Sequence, residues 1–408
     1  MSSPDESPST IPVPELVVMA ASLMALNALA IDVMLPALGL IADDLGVTSE
    51  NDRQLVVVSY VLGFGAPQLA FGPLADRFGR RPVLFVALAG YTVAGLACAL
   101  APTFTALLVL RFVQGVFASG CRVVAVAVVR DLFKGRGMAR IMSLVMTVFM
   151  IVPILAPGVG QVVLWFAPWR WTFGILGVAG MTMFLWTFVR LRESLPPEER
   201  SEAGFAQVVR SFRVVLRSRV TLGYMLASGT VFAALFAFIS SCEQIFREVF
   251  HQEETFALWF GGIAVALSAA NFANSRLVGR FGMRRISHLA LVGFTVMSGL
   301  LYGLTRAHGD HLWLFLPLFT LVFAQFGLIG ANFNALAMEP LGKVAGTASA
   351  VYGFSTTTLS GFVGGFIGRQ YDGTTMPIML GYVGLGLVAL AIVATVERGR
   401  LFRSDRVG

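Results

Sequence analysis

Between Leu55 and Pro73, and again between Val83 and Ala101, the chain carries no charged residue. Apolar runs of ~18 residues or more are long enough to cross a lipid hydrocarbon core as helices. Such runs recur along all 408 residues. Twelve can be delimited: 14–38, 54–73, 83–101, 105–128, 139–163, 171–189, 220–242, 256–276, 287–305, 312–337, 345–368 and 377–396. In lipid the backbone must satisfy its own hydrogen bonds, which leaves helices or closed barrels. These runs lack the apolar–polar alternation of barrel strands. The chain therefore reads as an all-α membrane protein with twelve transmembrane helices. Composition agrees, with 13% charged residues against about a quarter in soluble proteins.

Charge is sorted between the loops. One set holds Arg77, Arg80 and Arg81; Arg130, Lys134, Arg136 and Arg140; seven arginines from Arg190 to Arg219; Arg276, Arg280, Arg284 and Arg285; Lys343; and four arginines after the last span. The alternate set holds Arg53, Arg170, Arg247, Arg306 and Arg369. Loops rich in Lys and Arg stay in the cytoplasm, so both termini are expected there, in a bacterial inner membrane. The net charge of +7 thus belongs to topology and implies no nucleic-acid partner. Cys98, Cys121 and Cys242 lie in or beside apolar runs, without disulfide or zinc-ligand spacing.

The longest polar break, 190–219, divides the spans six and six. It implies a polar, disordered N-terminus at 1–13 and an N-terminal bundle at 14–190. A linker at 191–219 follows, then a C-terminal bundle at 220–396 and a tail at 397–408. The N-terminus is acidic where a signal peptide is basic. Within the linker, Phe205, Val208, Val209 and Phe212 recur at helical spacing among arginines, which predicts an amphipathic helix on the membrane surface. The halves echo one another. Arg-Phe-Gly at 77–79 returns at 280–282, an offset of 280 − 77 = 203 residues, at equivalent loops. Two six-helix pseudo-symmetric bundles are a known transporter plan.

The loop Gly72 to Arg81, G-x-L-x-D-R-x-G-R-R, resembles the signature of the major facilitator superfamily. "RFVQG" from Arg111 resembles its fourth-helix motif. "APGVGQ" from Ala156 is similar to the fifth-helix motif of proton antiporters, with Ala156 and Gln161 in place of glycines. "AIDVMLPAL" (Ala30 to Leu38), "YMLASG" (Tyr224 to Gly229) and "AGTASA" (Ala345 to Ala350) resemble the bicyclomycin-resistance-type exporters. The resemblance implies the major facilitator fold and drug:proton antiport.

Several residues stand out chemically. Asp32 lies inside span one, where an acid is costly and usually faces a cavity or partner; a proton-titrating site competing with substrate is expected. Arg111 lies at similar depth in span four, with Gln114 and Gly115 on the same helix face. It is expected to tune Asp32 by proximity. Arg122 follows about three turns later on that face and would suit an anionic or zwitterionic substrate. Asn332, late in span ten, reads either as a cavity residue or as an interhelical hydrogen bond. Glu243 ends span seven and reads as a solvated helix end, or as a second cavity acid.

A second group suits gating. In the signature loop, Gly72, Gly79 and the arginines Arg77, Arg80 and Arg81 make a tight turn. Asp76 is expected to accept from helix-terminal N–H groups or to pair with a nearby arginine such as Arg130, and Asp131 to pair with Arg77. By resemblance, this loop latches the two halves near the start of span eleven. Pro153 and Pro157 should bend span five, which by resemblance points to export.

Nothing reads as a nucleotide-binding loop, zinc-protease motif or nucleophile elbow, so an enzyme is not expected. No cofactor is implied; energy would come from a proton gradient. The expected partners are a small-molecule substrate, protons and the lipid bilayer, with the protein acting as a monomer. The leading reading is a proton-coupled multidrug exporter. The alternatives are a dedicated exporter of one metabolite, such as a siderophore, and a receptor that transports nothing.

Overall fold

The computed structural model describes residues 11–133, 135–200 and 204–402, and all regular structure among them is helical. The N-terminal half contains α1 (Val13–Asp32), α2 (Leu38–Asp44), α3 (Leu55–Gly65), α4 (Gln68–Phe78), α5 (Arg80–Ala99), α6 (Phe104–Leu132), α7 (Gly135–Phe149), α8 (Ile151–Phe166) and α9 (Arg170–Arg190). The linker helix α10 is Gly204–Arg217. The C-terminal half contains α11 (Arg219–Gln244), α12 (Phe256–Phe281), α13 (Met283–His308), α14 (Leu312–Met338), α15 (Ala345–Gly368) and α16 (Met376–Val396). Ten stretches are long and apolar enough to cross a membrane, and the bent pair α3–α4 makes an eleventh. The 24-residue α15 fills the remaining place in the twelve-span bundle. Most of the expected polar ends, 1–13 and 397–408, together with Lys134, lie outside the described residues.

Three spans are broken, each for a local reason. α1 stops at Asp32, and a 3-10 turn at Leu35–Ala37 follows; Pro36 has no amide hydrogen to continue the ladder. The second span bends by 42° where Pro67 begins α4. The fifth divides at Met150, ahead of the two prolines expected to bend it. Pro153 falls in the first turn of α8 and has no N–H to offer the carbonyl of Phe149, where α7 ends. Pro157 alone lies inside that helix.

Small residues bring backbones together, as lipid-embedded helices require. Gly63 of α3 and Gly115 of α6 face each other's helix. A Cβ at Gly115 would strike the Tyr60 carbonyl, and one at Gly63 the Phe112 carbonyl.

The sequence echo is also a structural one. Gly79 has φ 98° and ψ 159°; Gly282 has φ 82° and ψ 154°. Both adopt a conformation open essentially to glycine. The offset is 282 − 79 = 203, and each glycine starts the next helix, α5 and α13. Across the molecule, α3 and α4 pack on α15, and α8 packs on α12. These are spans two with eleven and five with eight, pairs that exchange under a pseudo-twofold axis.

α10 packs on α15 and α4. Val215 is buried against Met225 and Val351, and Phe212 meets Phe354 edge-on. One face of this helix is thus docked on the bundle instead of lying wholly on the membrane, while Val209 and Leu216 remain exposed. The side chains of Phe205 and Val208 lie outside the described ones.

Candidate functional site

Between the halves lies a cavity of about 1040 Å³, at the upper end of the range for small-molecule sites. Its walls come from α1, α3, α4, the first residue of α5, α6, α7 and α8 on one side and from α11, α12, α14 and α15 on the other. It reaches Asp76, Arg80 and Arg130, which lie on the face where α1 begins and α16 ends. The cavity therefore opens toward the face bearing the chain termini.

The opposite face is sealed by polar contacts that the sequence reading missed. Asn51, Asp52, Arg53 and Gln54 each bond to the C-terminal half. Asn51 Nδ2 donates to the carbonyls of Arg369 (3.0 Å) and Tyr371 (2.8 Å). Asp52 pairs with Arg369 at 2.8 Å. Gln54 Nε2 donates to Gln244 Oε1 at 2.5 Å and to the Gly368 carbonyl at 3.0 Å. Arg53 is 5% exposed and bridges Glu248 and Glu243, the latter at 3.6 Å. Glu243 is therefore neither a solvated helix end nor a cavity acid. It is buried among Arg53 and Arg247, because α11 continues as a π-helical turn, Ile245–Val249, that folds these charges inward. A run of four polar residues at the head of an apolar span was the available signal.

Asp32 ends α1 and lines the cavity. Its carboxyl has no hydrogen-bond or ion-pair partner among the described residues. Arg111 does not reach it. That guanidinium is fully buried, donating to the Ala30 carbonyl (2.9 Å), the Val56 carbonyl (3.2 Å) and Gln114 Oε1 (2.7 Å). It also stacks on Tyr60 at 4.3 Å. The break after Asp32 orphans carbonyls at the end of α1, and a rigid five-donor fork can satisfy one while holding α3. Arg111 and Gln114 thus knit three helices outside the cavity lining, in place of the expected contact with Asp32.

Arg122 does line the cavity, with its guanidinium 5.8 Å from the Phe64 ring. Asn332 does not. It is buried, and its amide donates to Asn274 Oδ1 at 2.7 Å, linking α14 to α12. Polar residues of α15 that no motif marked, Tyr352, Thr356 and Ser360, face the cavity at four-residue spacing. That spacing on one helix face was the readable sign.

In the signature loop the hub is Arg80. Its guanidinium meets Asp131 at 2.8 Å and Asp76 at 2.5 Å. The backbone amides of Arg80 and Arg81 donate to the Glu193 carboxylate at 2.9 and 3.1 Å. Arg81 also donates to the Phe188 carbonyl at 2.8 Å. Asp76 thus pairs with a nearby arginine, Arg80 in place of Arg130, and the expected pair Asp131–Arg77 is absent among the described residues, Asp131 going to Arg80 as well. Arg77 lies over Phe78, and Arg130 lines the cavity mouth with Gly72. All these loop contacts stay within the N-terminal half and the start of the linker, so among the described residues the loop forms no ionic latch between halves; the cavity opens at this end. The C-terminal half repeats the arrangement, with Arg284 joining Glu339 at 2.7 Å and Glu397 at 3.1 Å.

Residues 20–365 match the Major Facilitator Superfamily. A Bacillus subtilis (strain 168) protein described as an uncharacterized MFS-type transporter, YdgK, is 31% identical over 87% of this chain and 89% of its own. A bicyclomycin resistance protein homolog from Haemophilus influenzae is 28% identical over 88% and 89%. The crystal structure of a D-xylose-proton symporter superposes with a TM-score of 0.77 at 14% identity, covering 96% of this chain and 98% of that one, and so shares the fold. With its twelve spans, its repeated loop and its central cavity, the chain belongs to the major facilitator superfamily of membrane transporters.

Proposed function

We propose that this protein exports small molecules across the bacterial inner membrane in exchange for protons, with Asp32 carrying the proton. The observation that carries the reading is Asp32 itself: an acid inside a span, lining the cavity, with no protein partner among the described residues. Such a group is a functional candidate by default. Resemblance to a bicyclomycin resistance protein homolog supports export of antibiotic-like compounds. The positive-inside rule assigns the termini to the cytoplasm, and the cavity then faces the cytoplasm, ready to load.

The mechanism is alternating access by two bodies, 14–190 and 220–396. Substrate enters from the cytoplasm while the outer seal around Arg53 is closed. Breaking that seal and closing the inner mouth turns the cavity outward. A proton from outside then neutralises Asp32, substrate leaves, and the proton is released inside after the return. One charge falling through 100 mV yields ~2.3 kcal/mol, enough for about fortyfold accumulation per proton. One chain holds the whole cavity, so a monomer suffices.

The test uses reconstituted vesicles with an imposed pH gradient and a panel of fluorescent amphiphiles. Asp32→Asn is expected to abolish gradient-driven efflux while retaining downhill exchange. Gradient-driven efflux that survives in this variant sinks the assignment.

A further inference from the structure

The charges on the cavity wall are distributed unequally. Its lining carries three arginines (Arg80, Arg122, Arg130) against two aspartates (Asp32, Asp76), all five from the N-terminal half. Among the described residues the C-terminal wall contributes no charged one. It presents Phe232, Phe236, Phe260 and Phe323, with the hydroxyl residues of α15 beside them. Two of those hydroxyls are spent on their own helix, Thr356 on the Tyr352 carbonyl and Ser360 on the Thr357 carbonyl.

Among the arginines, Arg80 is consumed by Asp76 and Asp131, and Arg130 lies at the exposed mouth. Arg122 is different. It is half-buried within the cavity and has no hydrogen-bond or ion-pair partner among the described residues. It lies over the Phe64 ring, which stacks on Tyr60, and Tyr60 in turn lies beneath Arg111. Asp32 is not a partner for it. Arg111 is anchored at the level of Ala30, and Arg122 lies 122 − 111 = 11 residues further along α6, ~16 Å of helical rise. The proton-bearing carboxyl and this guanidinium thus occupy different levels of one cavity. A half-buried guanidinium inside a membrane span is favoured by a counter-charge, and a planar donor fork suits a carboxylate or related oxyanion.

We propose that the compounds this transporter carries are amphipathic organic anions. Each would have a flat apolar body set against the phenylalanines of the C-terminal half and a carboxylate, sulfonate or phosphonate held by Arg122. The assignment rests on reading this cavity as the transport site, and not on the proton step. The anion neutralises Arg122 and leaves Asp32 free to titrate, so substrate and proton need not share one group.

The probes are three dansyl compounds of similar size: dansylglycine (anionic), dansylamide (neutral) and dansylethylenediamine (cationic). Their fluorescence is titrated against the full-length protein in detergent micelles. Dansylglycine is expected to bind about tenfold or more tighter than dansylamide, with the cation weakest, as a charge-assisted hydrogen bond implies. Arg122→Gln should bring anionic and neutral probes within about threefold, Arg122→Glu should reverse the order, and Arg122→Lys should keep the anion first. The wild-type comparison needs no variant and decides first. Equal binding of the three, a preference for the cation, or no dansylglycine binding at about 1 mM overturns the proposal, as does an unchanged anion preference in Arg122→Gln. If the anion preference holds while no probe moves against a pH gradient, the proton-export reading fails alone.

Discussion

Arg111 shows how a single side chain can be visible in the sequence and misread in role. A lone charge amid apolar residues announces itself, and pairing it with the nearest intramembrane acid is the economical guess. Its donors go instead to two backbone carbonyls and a glutamine. Arg111→Lys should therefore destabilise the protein severely although charge is kept, because one ammonium cannot span the same acceptors. We expect a loss of about 3 kcal/mol or more, as when a buried charge loses its partners, seen as a lower unfolding midpoint in detergent; Asp32→Asn should leave that midpoint nearly unchanged. At Gly79 the constraint is backbone geometry, with φ 98° and Glu193 close to where a Cβ would stand. Gly79→Ala should cost about 1–3 kcal/mol, measured the same way, while Gly72→Ala, which meets open space, should be tolerated.

At the scale of helices, composition was a good guide to where spans lie and a poorer guide to where they break. Apolar length is a local property, and lipid leaves an apolar run almost no alternative to a helix. A break can turn on a single residue: span five divides at Met150, one turn before Pro153, which has no N–H to offer the Phe149 carbonyl. Contact between helices is invisible until both partners are placed. Gly115→Val should push α6 off α3 at the Tyr60 carbonyl and cost about 1–3 kcal/mol by overpacking. Loss of monodisperse protein on gel filtration or a lowered melting midpoint would record it; an unperturbed variant would show that the two helices can part there.

For the whole molecule the decisive elements are the two ends of the cavity. The end away from the chain termini is closed by residues 51–54 bonding to 243–248 and 368–371. Arg53→Ala leaves Glu243 with Arg247 alone and takes Arg53 from Glu248, which weakens this seal; breaking a buried pair costs ~3–5 kcal/mol. The population should shift toward the outward-open form. Spin labels at the exposed positions Thr48 and Glu254, one on each half, should report longer distances in Arg53→Ala than in the parent. An unchanged distance distribution would remove Arg53 from the gate.

The sequence alone determined the membrane class, the span count, the two-fold repeat and the intramembrane acid and arginines. All of these follow from local hydrophobicity, charge sorting and spacing along one chain. Only the tertiary structure decided which charges meet. It turned Arg111 inward to backbone, drew Glu243 into the seal opposite the termini, made Arg80 the hub of its loop, and placed Asp32 and Arg122 in a shared cavity with no partner among the described residues. Ion pairing acts over a few ångströms in space, between residues tens to hundreds of positions apart, and the packing of helices, not the order of residues, sets those distances.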